Sequence, residues 1–215
     1  MSRPLAILVR AAAIAAALAL WFWTQRLIGR KAPAGQGVGD RLHDMTGPLH
    51  AWLTANPRAA NATLILTSAF IDLFGLYLIG ATILGPTVRP FAAMLMLFAL
   101  RQLCQALCSL PPPRGAIWRH PGIPSLLVTY GVNNDFFFSG HTAIALLGAM
   151  ELGRAGPPWL AAAAAIIAAL EAAAVIVLRA HYLMDVVAAA FIAWGCEAAA
   201  GRIAPEIDEW LRRLI

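Results

Sequence analysis

Two short polar stretches hold most of the residues in this chain whose types and spacing suit chemistry. One is Asp135-Phe136-Phe137-Phe138-Ser139-Gly140-His141-Thr142, and the other is Arg179-Ala180-His181-Tyr182-Leu183-Met184-Asp185. His181 and Asp185 stand four apart, which on a helix places them on one face within hydrogen-bond reach. A carboxylate behind an imidazole fixes its tautomer and stabilises the imidazolium, leaving the other ring nitrogen to attack an electrophile. His141 supplies a second imidazole at an expected helix start, suited to protonate a leaving oxygen. Ser139 has the type of an N-cap, and Gly140 lets backbone N–H groups approach an anion. Arg101 and Arg179 are candidates to neutralise further oxygens, and Asp135 is a candidate partner of His141. Such a set suits phosphoryl transfer, which needs positioning and charge stabilisation above all. Each residue alone also has a structural reading. An interfacial histidine commonly packs without catalysing, and a His/Asp pair four apart is as often a local hydrogen bond. The coincidence of the two stretches is what points to a site. A serine-nucleophile reading of Ser139 ranks behind it.

The elements that must position these residues are apolar. The chain has 215 residues, 60% hydrophobic and 13% charged, where a soluble domain carries about 25% charged residues. Several apolar runs approach twenty residues, so the expected fold is all-α: a single integral membrane domain, 1–215, built as a six-transmembrane-helix bundle. The runs are 4–23, 62–84, 90–110, 139–151, 159–178 and 181–200. The first, closed by Trp21 and Trp23, is read as a retained span, with a cleaved signal peptide as the alternative. Within 1–61 it is followed by a Gly/Pro-rich loop. Then Leu42, Met45, Leu49, Trp52 and Leu53 recur at helical spacing, as in an amphipathic helix on the bilayer surface whose regularity Pro48 limits. Residues 62–202 form the expected catalytic core, and 203–215 a short amphipathic tail. Asp72 and Glu171 fall inside spans, where an acid is costly and a functional candidate by default; for Asp72 a structural hydrogen bond is the favoured reading. Cys104 and Cys108 share a helix face and read as apolar packing.

Six spans would put both termini on one side of the membrane and the loops after spans one, three and five on the other. Both polar stretches then share a face. Leaving aside Arg101 and Arg179, the other fourteen cations divide seven and seven between the two sides, so charge does not set the orientation. The formal charge of +5 is spread along the chain and argues for lipid headgroups over nucleic acid. Fifteen of the sixteen cations are Arg, the residue that grips phosphate bidentately.

Ser-Gly-His-Thr at 139–142 and His-Tyr-x-x-Asp-Val at 181–186 resemble the sphingomyelin synthase branch of the type-2 phosphatidic acid phosphatase superfamily. Asp135, six before His141, and Arg101, nine before Leu110-Pro111, fit that branch as well, so the likeness covers Arg101 to Val186. The resemblance implies six spans and a cofactor-free, metal-independent lipid phosphotransferase with a His-His-Asp triad. In it His181 would form a phosphohistidine, Asp185 would orient it, and His141 would protonate the departing alcohol and deprotonate the incoming one. The donor would be a phospholipid and the acceptor ceramide, diacylglycerol or another lipid alcohol. Two features depart from the broader superfamily. Its Lys-x6-Arg-Pro motif is absent, and Val175 stands where the phosphatases place an arginine, leaving Arg179 as the replacement.

Three alternatives stay open. Water as the acceptor gives a phosphatase or phospholipase-C-like hydrolase. A metal-dependent membrane hydrolase would use His141, His181 and Asp185 as ligands. A transporter would use Asp72 and Glu171 as a proton path, although the chain halves do not repeat. Arg114 and Arg119 mark a possible substrate loop between residues 111 and 138. The expected setting is a bacterial inner membrane with the site facing the periplasm, and a homo-oligomer is possible.

Overall fold

The computed structural model describes residues 38–107, 110–128, 130 and 137–214. The expected first span, Asp135 and Cys108 lie outside the described residues. All the regular elements among these are α-helices: α1 (Arg41–Met45), α2 (Gly47–Ala55), α3 (Pro57–Leu84), α4 (Arg89–Leu107), α5 (Gly140–Ala155), α6 (Pro158–Val177) and α7 (Leu183–Leu214).

Proline sets several of these starts. Pro48, Pro57 and Pro158 occupy the first turns of α2, α3 and α6, where the missing N–H has no intrahelical acceptor to lose. The amphipathic segment is therefore two helices, not one. Thr46 ends α1 with its N–H on the Leu42 carbonyl at 2.9 Å, and Pro48 then begins α2. Met45, Leu49 and Trp52 stay exposed while His43, His50 and Leu53 are buried, so the apolar outer stripe fits a bilayer surface.

Among the described residues four helices are long and apolar enough to cross a membrane: α3, α4, α6 and residues Leu183–Trp210 of α7. Their outer faces carry exposed Leu66, Leu73, Leu76, Leu95, Ile166, Leu170 and Phe191, apolar surface that lipid would cover. The chain is an integral membrane protein. Of the six runs, the fourth corresponds to α5, which has only 16 residues and is about 24 Å long at 1.5 Å per residue. It sits among α3, α4, α6 and α7. The tail differs from expectation. Residues 203–214 continue α7 through Pro205 and form no separate helix, because one proline removes a single i→i−4 bond while the turns on either side persist.

α5 is buried nearly all round, as a helix walled by protein must be. Phe138, Leu147, Leu97, Leu78, Ala189 and Ala193 form one core around it; Ile71, Phe74, Ile144, Ala145, Ala164 and Ala168 form another. Lipid tails are as apolar as leucine, so close packing and small residues must hold such a bundle together. The alanines serve this between α5 and α6. Gly148 serves it between α5 and α3, where a Cβ would lie 2.2 Å from Cδ1 of Phe74.

At the end away from the polar stretches, ion pairs fasten the helices. Arg89 holds Glu151 bidentately, Nε–Oε1 at 3.0 Å and Nη2–Oε2 at 2.8 Å, and Arg154 pairs with Glu197. Asp72 does what an intramembrane acid does when it is structural. Its two oxygens accept the N–H groups of Leu126 and Leu127 at 2.8 and 2.9 Å, drawing the 110–128 segment onto α3.

Candidate active site

α5 begins at Ser139. Its Oγ accepts the N–H of Thr142 at 3.3 Å and lies 3.0 Å from the Thr142 hydroxyl, so it is the N-cap the sequence suggested. The same residue joins the two polar stretches, because the Ser139 N–H donates to the Asp185 carbonyl at 3.2 Å.

The second stretch folds differently from the helix its spacing suggested. α6 closes at Leu178 in a Schellman arrangement: Arg179 N–H bonds the Ile176 carbonyl at 3.0 Å, and Ala180 N–H bonds the Val175 carbonyl at 2.9 Å. Arg179 takes the left-handed conformation, φ 54°, usually left to glycine. The chain turns there, and α7 starts only at Leu183. His181 therefore precedes the helix, and Asp185 lies in its first turn. They still face each other, with His181 Nδ1 3.6 Å from Asp185 Oδ2. That is longer than a hydrogen bond. The same Oδ2 accepts the Tyr182 N–H at 2.9 Å, closing half of a capping box.

A cavity of about 50 Å³ opens between the stretches, lined by Ile71, Phe98, Arg101, Trp118, Leu127, Val128, Gly140, His141, Ile144 and His181. A volume of roughly 10–15 Å³ on this scale admits one water, so the space suits a small polar group. His141 and His181 are 6% and 4% exposed. His141 Nε2 is buried and has no hydrogen-bond partner among the described residues. Trp118 meets its ring edge-on at 5.3 Å and packs on Tyr130 at 4.9 Å. Arg101 reaches in from α4, its Nε donating to the Phe138 carbonyl at 3.2 Å. Gly140 lies against that guanidinium, since a Cβ there would be 3.4 Å from Arg101 Nε. Gly140 and His141, the first two residues of α5, line this wall, and a helix N-terminus favours an anion.

The structure thus brings His141, His181, Asp185, Ser139, Gly140 and Arg101 together. Arg179 is placed otherwise. Its Nη1 donates to the Arg114 carbonyl at 3.2 Å and it does not line the cavity. Arg114 and Arg119 are exposed, and Arg119 borders a second cavity of about 280 Å³ shared with Leu53, Ala60, Ile117 and Trp118. Glu171 is buried in α6, its Oε2 without a hydrogen-bond partner among the described residues, outside the cavity's lining. A larger cavity, about 560 Å³, lies at the other end beside Tyr77, Arg89 and Glu151, and no histidine lines it. Among the described residues no group of three His, Cys, Asp or Glu is placed to hold a metal ion.

Three residues around the turn escaped the sequence reading. Asp40 Oδ2 accepts the Leu183 N–H at 2.6 Å, His43 Nε2 donates to the His181 carbonyl at 3.0 Å, and His50 Nδ1 donates to the Val177 carbonyl at 2.8 Å. The usable signal was the seven-residue spacing of His43 and His50, which puts two polar residues on one helix-like face beside Leu53.

A family model described as AtPDCT1/2 matches residues 40–202, about three quarters of the chain. That description refers to plant proteins and lends no support to the expected bacterial inner membrane or its periplasmic face. No curated protein and no solved structure matches the chain significantly.

Proposed function

The chain belongs to the AtPDCT1/2 family, a family of lipid phosphotransferases, and from that premise we propose that it moves phosphocholine between glycerolipids through a phosphohistidine at His181. The donor is phosphatidylcholine and the acceptor diacylglycerol, as the family's cholinephosphotransferase activity suggests. The observation that carries the reading is the shared cavity of His141, His181 and Arg101 at the start of α5.

In the proposed cycle Asp185 steadies the Nδ1 side of His181, and Nε2 attacks phosphorus. The bond from phosphorus to the diacylglycerol oxygen breaks, and protonated His141 gives that oxygen its proton. A second diacylglycerol hydroxyl then loses its proton to His141 and attacks phosphorus. The nitrogen–phosphorus bond breaks and free His181 returns. Arg101 and the α5 N-terminus offset charge on the phosphoryl oxygens. Arg119 with Arg114 meets the donor beside the second cavity. The cycle uses no metal or cofactor.

The test is lipid mass spectrometry on purified protein in phosphatidylcholine vesicles carrying diacylglycerol and ceramide tracers of distinct chain length. New phosphatidylcholine bearing the diacylglycerol tracer's chains supports the proposal. Transfer to ceramide alone reassigns the acceptor, and free phosphocholine makes the acceptor water. No change in any headgroup overturns the reading.

A further inference from the structure

We propose that Asp40 and His43 are positioning residues for His181. From the α1–α2 pair they clamp the backbone of the α6–α7 turn, and so set where the imidazole stands. The proposal rests on His181 being the nucleophile.

The geometry of Asp40 is unusual in one respect. Its carboxylate is 4% exposed, and each oxygen serves the start of a different helix. Oδ1 accepts the Leu42 N–H at 2.9 Å, capping α1, and Oδ2 accepts the Leu183 N–H at 2.6 Å, at the first residue of α7. The residue before Leu183 is Tyr182, which has no side-chain acceptor able to cap. Asp40 supplies that acceptor from 143 residues away.

His43 completes the grip. A carbonyl only accepts, so the bond to the His181 carbonyl fixes the Nε2–H form of His43. Its ring also packs on Tyr182, centroids 5.7 Å apart. His50 repeats the arrangement on the other side of the turn, at the Val177 carbonyl. The turn needs such outside holding. Arg179 stands in a left-handed conformation that L-residues rarely adopt, and His181 precedes the regular hydrogen bonding of α7, its own N–H reaching back to the Val175 carbonyl at 3.2 Å. Its position relative to His141 therefore depends on what grips its own peptide. A displacement of about 1 Å at such a site costs on the order of 100-fold in rate.

The experiment compares wild type with His43→Leu, His43→Gln and Asp40→Asn, using headgroup-transfer kinetics and hydrogen exchange. His43→Leu removes the donor. Its kcat should fall about 10–100-fold with KM nearly unchanged, and amides of 177–183 should exchange faster while those of α5 do not. His43→Gln retains an N–H donor and should restore most of kcat. Asp40→Asn offers one acceptor oxygen to two N–H groups and should resemble His43→Leu. The polar replacements suit the same surroundings and carry the test if His43→Leu does not fold. Unchanged exchange, an effect on KM alone, or a Gln variant as impaired as the Leu variant would overturn the clamp. Absence of transfer in wild type would instead overturn the function, and the exchange measurement would then decide the clamp by itself.

Discussion

The backbone N–H of Ser139 donates to the carbonyl oxygen of Asp185 at 3.2 Å. Through that bond the N-cap of α5 is fastened to the first turn of α7. His141 follows one of these residues by two positions, and His181 precedes the other by four. Both imidazoles are thereby referred to one backbone contact, which is why they line a common cavity.

The Arg101 guanidinium holds the Phe138 carbonyl through Nε while lining the cavity, and its planar fork of donors matches a phosphate as well as a carbonyl. Lysine is a point donor and cannot do both. Arg101→Lys should lower kcat/KM at least about tenfold, within the 1.5–3 kcal/mol that a charged hydrogen bond contributes, with little change in thermal stability. Gly140→Ala should act more weakly in the same direction, since its Cβ would meet Arg101 Nε at 3.4 Å, the edge of ordinary contact. Steady-state kinetics beside a melting curve in detergent checks both. Full activity in both variants would remove Arg101 from the site.

Gly148→Ala brings two effects of opposite sign. Alanine favours a helix by about 1 kcal/mol over glycine. Here its Cβ would lie 2.2 Å from Phe74 Cδ1 and 3.0 Å from Phe74 Cβ, and overpacking typically costs about 1–3 kcal/mol. The contact should win, lowering the melting temperature. Gly195→Ala, in α7 with nothing within 4 Å of the added Cβ, is the control and should be neutral or stabilising. Equal melting temperatures for the two variants would contradict the tight α3–α5 approach.

Asp72→Ala should destabilise by about 1–3 kcal/mol, because two amides of the 110–128 segment lose their acceptor and one of them, at Leu127, is partly buried. Asp72→Asn keeps one acceptor oxygen and should lose less. Melting curves rank the two. Activity lost at unchanged stability would point instead to the proton-path reading.

Much of this was legible in the sequence because it is local. The Ser139 cap and the apolar helices α3, α4, α6 and α7 follow from residue type and spacing, whereas the partners of Asp72 lie 54 and 55 positions away. What was not legible depends on long-range contacts or on exceptions to local rules. His181 was expected on a helix because it stands four before Asp185 at the head of an apolar run, yet Arg179 adopts a positive φ, the chain turns, and α7 starts only at Leu183. The split at Thr46 and the passage of α7 through Pro205 are likewise outcomes that proline alone does not dictate. Asp40 and His43 act on residues more than 130 positions away, and no period in the chain connects them.

The most direct measurement is rapid-quench mass spectrometry of the peptide bearing His181, after mixing with phosphatidylcholine in the presence of a metal chelator. The account predicts an acid-labile phosphocholine adduct on His181. It also predicts that His181→Ala abolishes both adduct and turnover. His141→Ala should slow turnover about 10²–10⁴-fold while still forming adduct from a donor with a good leaving group. Continued turnover by His181→Ala, or turnover of the wild type with no adduct on that peptide, would contradict it.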